Sequence, residues 1–184
     1  MTQWLVLLLL LLSGCSLMHP AAAPPGEGWR YYPLLAPASY QRAVAMEQWL
    51  EGYAQGQHFQ LRTHIEIDAE QILVLGFTPW QTRAFFLRYD GHRIAFENFT
   101  DRDMPFAAAM ILSDIQQVLW PHLPDQGEWR VNDDTQTRER RVYFRDQLIT
   151  RIQYNGDFPT HGNVELTNRP FGYRLQIQTL QSWH

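Results

Sequence analysis

The sequence is poor in several residue types, and each shortage excludes a class of protein. Among 184 residues there is one cysteine, so no internal disulfide can form and the fold must depend on packing. The sequence has no lysine and fifteen arginines. Its net charge of −4 gives no reason to expect a nucleic acid partner. No apolar run reaches the roughly 20 residues that a transmembrane helix requires.

Motifs for common catalytic and metal chemistry are also missing. The seven histidines show no zinc-protease spacing, although His58 and His64 share one face of a predicted strand. Polar neighbours on that face indicate a hydrated surface rather than a metal site. No serine lies in a Gly-x-Ser-x-Gly turn, and there is no glycine-rich phosphate loop. We therefore expect no catalytic residues, no metal and no cofactor, and an acyl-processing enzyme remains the least favoured alternative.

The start of the sequence has the organisation of a bacterial export signal. Nine apolar residues run from Trp4 to Leu12, and Ser13-Gly14-Cys15 follows. The run has the length of a secretory core segment, and small residues before a cleavage point complete that pattern. Leu12-Ser13-Gly14-Cys15 resembles the bacterial lipobox, which implies cleavage after residue 14 and acylation of Cys15, for example with palmitate. Plain secretion and an uncleaved anchor are the alternatives.

The same resemblance implies a location and a domain organisation. Two or three acyl chains hold a protein firmly in a bilayer, whereas one chain is marginal. Ser16 stands where an inner-membrane retention signal has aspartate, which implies lipid anchoring at the periplasmic face of the outer membrane. We predict a signal peptide over 1–14, the acylated cysteine and an Ala/Pro-rich tether over 15–28, and a single domain over 29–184.

Periodicity in the rest of the chain predicts a mixture of helices and strands. Helical spacing from Ser39 to Tyr53 predicts an amphipathic helix with Ser39 as its N-cap. A second helix is predicted with Asp103 as its cap, Pro105 in its first turn and an apolar stripe over 108–119. Alternation predicts a strand at 59–67 with one apolar face. Further strands are predicted at 72–77, 84–89, 93–99, 128–131, 141–144, 148–154, 163–167 and 173–180.

This pattern predicts an α+β fold in which one curved antiparallel sheet, a half-barrel, has two or more helices over its concave face. Strands 72–77 and 84–89 are apolar on both faces, so their inward phase is ambiguous. Periodicity does not decide whether the interior is filled or hollow. If it is hollow, the predicted cavity walls are Phe59, Leu61, Ile65, Ile67, Leu73, Leu75, Phe86, Ile111, Ile115, Leu175 and Ile177.

Several motifs resemble known envelope proteins. Tyr53-x-x-Gly56-x-x-Phe59, a Pro-containing hairpin and the segment 162–167 resemble the outer-membrane lipoprotein receptor LolB and the carrier LolA, which implies their half-barrel fold. Other segments resemble a family of uncharacterised bacterial lipoproteins often encoded in gene clusters for aryl polyene or other acyl-lipid synthesis. These are Tyr32-Pro33-Leu34-Leu35, Gly76-Phe77-Thr78-Pro79, Leu119-Trp120-Pro121 and Arg169-Pro170-Phe171-Gly172-Tyr173-Arg174-Leu175.

The hairpin around residue 80 gives the most specific expectation that follows from the resemblance to LolB. In LolB the corresponding loop exposes a leucine after a proline, and Trp80 stands at that place here. Tryptophan prefers membrane interfaces, so Phe77, Pro79 and Trp80 are predicted to form a loop that contacts membrane or cargo. The alternative is that Trp80 packs back over the sheet edge.

Together these features favour a non-enzymatic lipoprotein that binds a lipid or acyl chain and helps place it at the membrane. The expected partners are the membrane, through acylated Cys15, and a hydrophobic cargo. A LolA-like periplasmic carrier or an exporter is a further candidate partner. The alternative function is an accessory lipoprotein with a filled core that docks onto an envelope export or biosynthetic complex.

Overall fold

The computed structural model describes residues 31–54, 56–101, 104, 106–159 and 161–183. The predicted signal peptide, Cys15, the predicted tether, Asp103 and Pro105 lie outside these residues. In the described part, a 3-10 helix over Pro37–Tyr40 precedes ten strands, and one α-helix, α1 (Ala108–Leu119), lies between the fifth and sixth strands. The strands are β1 (Val44–Ala54), β2 (Gln57–Ile67), β3 (Ile72–Phe77), β4 (Arg83–Tyr89), β5 (Ile94–Asn98), β6 (Trp129–Asp134), β7 (Glu139–Phe144), β8 (Gln147–Asn155), β9 (Asn163–Asn168) and β10 (Tyr173–Trp183).

All ten described strands belong to one antiparallel sheet, which confirms the predicted single sheet. The strand order is β5-β4-β3-β2-β1-β10-β9-β8-β7-β6. The chain therefore runs from the centre of the sheet to the β5 edge, crosses through α1 to the β6 edge, and returns to the centre. As a result, the first and last strands pair with each other in the middle of the sheet.

The sheet curls around α1. The helix contacts β5 at one side, and Arg140 on β7 donates a hydrogen bond to the carbonyl of Gln117 in the helix. Eight strand spacings separate β5 from β7, which is about 38 Å across a flat sheet at ~4.8 Å per strand. A helix of 12 residues is only about 18 Å long. A flat sheet could not meet the helix at both places, so the face that holds α1, here the inner face, is curved.

The predicted helix over Ser39–Tyr53 is wrong, because most of it is the 11-residue strand β1. Met46 and Leu50 are four residues apart, a spacing that suits one face of a helix and also one face of a strand. Gln48 lies between them on the inner face and is buried. Because glutamine is polar, the alternation of apolar and polar residues that predicts a strand is interrupted there. β1 pairs along its whole length with β2 and along most of it with β10. This long-range pairing outweighs the local preference for helix.

The second predicted helix is confirmed as α1, but the prediction of two or more helices is wrong for the described residues. Ala107 is the N-cap of α1, without a side-chain hydrogen bond, so the helix begins later than the predicted cap at Asp103. The segment before β1 covers the side of α1 away from the sheet. Gln116 accepts a hydrogen bond from Leu35 N and donates one to Leu35 O, both at 2.8 Å. No described helix has the length and apolar character to span a membrane.

Candidate functional site

An apolar cavity lies between α1 and the inner face of the sheet, and its volume is about 80 Å³. This is about half the ~150 Å³ of an engineered apolar cavity that binds benzene. The interior is therefore neither completely filled nor an open barrel. Ile67, a predicted wall residue, is buried in the core but does not line this cavity. The predicted wall residues that do line it are Phe59, Leu61, Ile65, Ile111, Ile115, Leu175 and Ile177.

Three other predicted wall residues lie on the outer face of the sheet. Leu75 and Phe86 are direct cross-strand partners there, and Leu73 lies two residues from Leu75 on the same strand face. Their neighbours Val74 and Phe85 face inward and line the cavity instead. Both strands are apolar on both faces, and a one-residue error in phase moves every side chain to the opposite face.

Two glycines let phenylalanine rings lie against the sheet in the cavity wall. Gly52 pairs with Phe59 across β1 and β2, and Gly76 pairs with Phe85 across β3 and β4. A Cβ at Gly52 would lie 2.1 Å from the Phe59 ring, and one at Gly76 would lie 2.2 Å from the Phe85 ring. Any side chain at these two positions would push the rings toward the cavity.

A cluster of aromatic rings lies at one end of the cavity. The Phe106 ring contacts Phe59 at a centroid distance of 5.9 Å and Tyr173 at 5.1 Å. Met104 and Phe106 are half-buried and belong to the irregular segment between β5 and α1. They line the cavity with side chains that no regular element holds in place.

Among the described residues, one carboxyl group lines the cavity. Asp114 on α1 is half-buried by surface area and borders the cavity, where most of its neighbours in the wall are apolar. The Tyr173 hydroxyl donates a hydrogen bond of 2.5 Å to its carboxylate. Burial raises the pKa of Asp114 to about 7, although the bond from Tyr173 acts in the opposite direction. Burial also raises the pKa of Tyr173 well above its usual value, so it stays a hydroxyl.

The sheet contributes two further polar side chains to the wall. Gln48 donates a hydrogen bond of 3.4 Å to the hydroxyl of Thr179. The hydroxyl oxygen of Thr63 is buried and has no hydrogen-bond partner among the described residues. Buried polar atoms are nearly always hydrogen-bonded, so an unbonded one is unusual. The Thr63 hydroxyl can therefore still donate or accept a hydrogen bond at the edge of the cavity.

Sequence reasoning missed Asp114, Phe106 and Tyr173 as site residues. Asp114 stands directly before Ile115 within a helix whose other lining residues are apolar. A lone acid within the apolar stripe of a helix was the available signal. Phe106 and Tyr173 carry no comparable signal, because their meeting depends on where the irregular segment crosses the sheet.

The predicted contact loop forms the turn between β3 and β4. Thr78 N donates to Thr82 O at 2.9 Å, and the two threonine hydroxyls lie 2.6 Å apart, which closes the turn tightly. Trp80 is 83% exposed at its tip, so its side chain does not pack over the sheet edge. Pro79 is also exposed, whereas Phe77 is half-buried on the outer face. The contact role of all three stays a prediction.

The two histidines with a shared strand face lie on the outer face and pair with glutamates. His58 lies 2.7 Å from Glu51, and His64 lies 2.8 Å from Glu66. Among the described residues, no group of three or more His, Cys, Asp or Glu side chains is placed to hold a metal ion.

Comparison with known proteins identifies a family but no activity. The model of a family described as a protein of unknown function, DUF3261, matches residues 45–181. No curated protein matches the chain. A domain from Vibrio parahaemolyticus named for outer-membrane lipoprotein sorting is similar in structure, with a TM-score of 0.47 and 10% identity, over 77% of this chain and 84% of that one. A DUF1329 family protein from Desulfovibrio piger has a TM-score of 0.42 and 10% identity, over 82% and 94%.

Proposed function

Because this chain belongs to the DUF3261 family, whose function is unknown, we propose a function from the geometry of its cavity. The protein binds an acyl chain of a lipid between α1 and the sheet, and it does so without enzymatic activity. Acylated Cys15 anchors it to the periplasmic face of the outer membrane. There it receives the lipid or helps to place it in the bilayer.

The composition of the cavity wall carries this proposal. Of eighteen lining residues, fifteen are aliphatic, aromatic or methionine, and three are Gln48, Thr63 and Asp114. Apolar cavities of this kind favour hydrocarbon, while a few polar groups select its orientation. Among the described residues, no arginine or histidine lines the cavity, so these residues offer no counter-charge to a phosphate or carboxylate there. The part of the ligand inside is therefore uncharged, such as an acyl chain with its ester group.

Entry of an acyl chain requires the cavity to enlarge, because 80 Å³ is well below the ~300 Å³ of a typical ligand pocket. The side chains that move to enlarge the cavity are Met104 and Phe106, since they lie outside regular secondary structure. The free hydroxyl of Thr63 then supplies a hydrogen bond to an ester carbonyl that passes it.

The small volume also favours a second candidate function. A domain whose core is nearly filled can serve as an accessory lipoprotein that docks onto an envelope export or biosynthetic complex, or onto a LolA-like carrier. Such a protein would contact lipid only through its anchor.

Photocrosslinking separates the two functions in the acylated protein. The purified full-length lipoprotein is placed in vesicles that contain a phospholipid with a diazirine in its acyl chain, and adducts are mapped by peptide mass spectrometry. We expect adducts on β2, β10 and α1 residues of the inner face. Leu61→Trp fills the cavity and should lower this labelling several-fold, whereas Leu75→Trp on the outer face should leave it unchanged.

Labelling confined to exposed residues would contradict the carrier function and favour the accessory one. Circular dichroism and thermal unfolding check that both leucine variants are folded. Release of free acyl chains from the vesicle lipids, measured in the same samples, would instead indicate an acyl-processing enzyme.

A further inference from the structure

The two ends of the sheet differ in chemistry. The strand register places the turns after β1, β3, β7 and β9 at one end, together with the end of β5. The turns after β2, β4, β6 and β8 lie at the opposite end. We call the first the aromatic end and the second the acidic end, for the residues described next.

Four exposed aromatic side chains lie at the aromatic end. Tyr53 is the penultimate residue of β1, Trp80 and Phe171 lie in the turns after β3 and β9, and Phe99 directly follows β5. Their exposed fractions are 56% for Tyr53, 83% for Trp80, 38% for Phe171 and 44% for Phe99. They come from separate parts of the chain, and together they extend from the β5 edge across β1 to β9.

Acidic residues are concentrated at the other end. Each of the four turns there begins with or contains an acid, and these are Asp68, Glu70, Asp90, Asp134 and Asp157. The four turns at the aromatic end contain one acid, Asp146. The aromatic end also carries the arginines Arg83, Arg145 and Arg169.

Two of these arginines have partners at the aromatic end. Arg145 binds Glu128 at 2.6 Å, and the Arg83 guanidinium lies 5.1 Å from the centre of the Phe99 ring. Asp101, which follows Phe99 by two residues, is an exposed acid in this region.

The turns at the acidic end also contain Arg93 and Arg138, so their five acids leave that end net negative. The turns at the aromatic end hold Arg145 and Arg169 against Asp146 and are not negative.

The described chain also begins on the side of the aromatic end. Tyr32 packs on Trp129 at 5.8 Å, and Trp129 is the first residue of β6, which starts at that end. The segment from Cys15 to Tyr31 can span at most about 50 Å at ~3.3 Å per residue. An acylated Cys15 can therefore lie in a bilayer that touches this end of the domain.

We propose that the aromatic end docks on a phospholipid bilayer, with Tyr53, Trp80, Phe99 and Phe171 at the interface and the acidic end turned away. Aromatic side chains favour the head-group region of a bilayer, and anionic lipids repel acids. Phe59, Phe106 and Tyr173 lie toward the same end, so docking opens the cavity onto lipid. This orientation rests on the proposed function for the anchor and the cavity, and it adds the surface through which lipid passes.

Tryptophan quenching by brominated acyl chains tests the orientation in the acylated full-length protein. The vesicles contain phosphatidylethanolamine and phosphatidylglycerol. Trp80→Phe should remove a strongly quenched component from the emission, and Phe171→Trp should add one. Leu180→Trp and Trp183→Phe are matched controls, because these exposed residues lie toward the acidic end of β10. They should change only emission that bromine does not quench.

Each possible result bears on one proposal. If the tryptophan of Phe171→Trp is quenched no more than that of Leu180→Trp, the docking surface proposed here is wrong, even if Trp80 alone inserts. Quenching at both aromatic-end positions supports it whether or not the cavity takes up the diazirine lipid. Crosslinks inside the cavity without quenching at these positions would support the proposed function and overturn the docking surface.

Discussion

Asp114 shows how a single residue in the wall sets the electrostatics of the cavity. No cationic side chain of the described residues shares the cavity wall with this carboxyl group, and a carboxyl group among mainly apolar neighbours is costly to ionise. It remains half protonated near neutral pH because burial raises its pKa to about 7. The Tyr173 hydroxyl stabilises the ionised form through a hydrogen bond, but it does not cancel the cost of burial.

This burial predicts a pH dependence of stability that Asp114→Asn should abolish. The folded protein binds this proton up to pH about 7, while the unfolded chain releases it near 3.8. Stability therefore falls as pH rises from about 4 to about 7 and then stays level. At pH 8 the asparagine variant should be more stable than the parent, by on the order of 3 kcal/mol.

Urea unfolding at pH 4 and pH 8 measures this difference. At pH 4 both side chains are neutral in the folded state, and the two proteins should unfold at similar urea concentrations. A gain in stability that is equal at both pH values would show that Asp114 is not the titrating group.

At the scale of elements, Arg140 holds α1 to the far half of the sheet. The buried guanidinium donates to the carbonyls of Gln117, Trp120 and Pro121 at 2.7, 2.8 and 3.1 Å. It also binds both carboxylate oxygens of Asp133 on the neighbouring strand β6. The Gln117 carbonyl belongs to the last turn of α1, the negative end of the helix dipole, which a cation stabilises. One side chain thus ends the helix and fixes the position of the cavity lid.

Arg140→Met should destabilise the protein by about 2–4 kcal/mol, because the carbonyls of Gln117 and Trp120 lose a buried charged donor and Asp133 loses its partner. Arg138→Met is the matched control, since Arg138 is exposed and lies 4.0 Å from Asp157. Exposed pairs contribute at most about 1 kcal/mol. Equal losses in urea unfolding for both variants would show that Arg140 does not anchor the helix.

For the whole molecule, the pairing of β1 with β10 joins the two halves of the sheet. The first half runs from β1 out to β5, and the second runs from β6 back to β10. α1 crosses beneath both halves, so the cavity exists only when the two halves and the helix are assembled. The edges β5 and β6 each have one strand neighbour among the described residues.

Native-state hydrogen exchange should follow this arrangement. Amides of β1, β2 and β10 should exchange slowest, through global unfolding, while those of β5 and β6 should exchange fastest. Exchange measured by mass spectrometry on the acylated protein in vesicles gives this order directly. Protection of β5 equal to that of β1 would contradict it and would show that this edge is covered.

Much of the fold follows from local patterns in the sequence. The strand at 72–77 has its predicted limits, and α1 contains the predicted apolar stripe and ends before Pro121 as predicted, although it begins later than the predicted cap at Asp103. The one-sided alternation of β10 is likewise correct, with Tyr173, Leu175 and Ile177 buried. The prediction for β1 was wrong because its apolar residues fit both a helical and a strand period.

What the sequence determined by itself is therefore the type and limits of segments whose period is unambiguous, together with the leader and acylation pattern that predict its anchor. Tertiary structure alone decided that β1 is a strand, that Val74 and Phe85 rather than Leu73 and Phe86 face inward, and that Asp114 meets Tyr173. The physical reason is the distance along the chain over which each property is determined. A period is a property of neighbouring residues, whereas the face of an all-apolar strand, the volume of a cavity and the gathering of aromatic turns at one end depend on partners far along the chain.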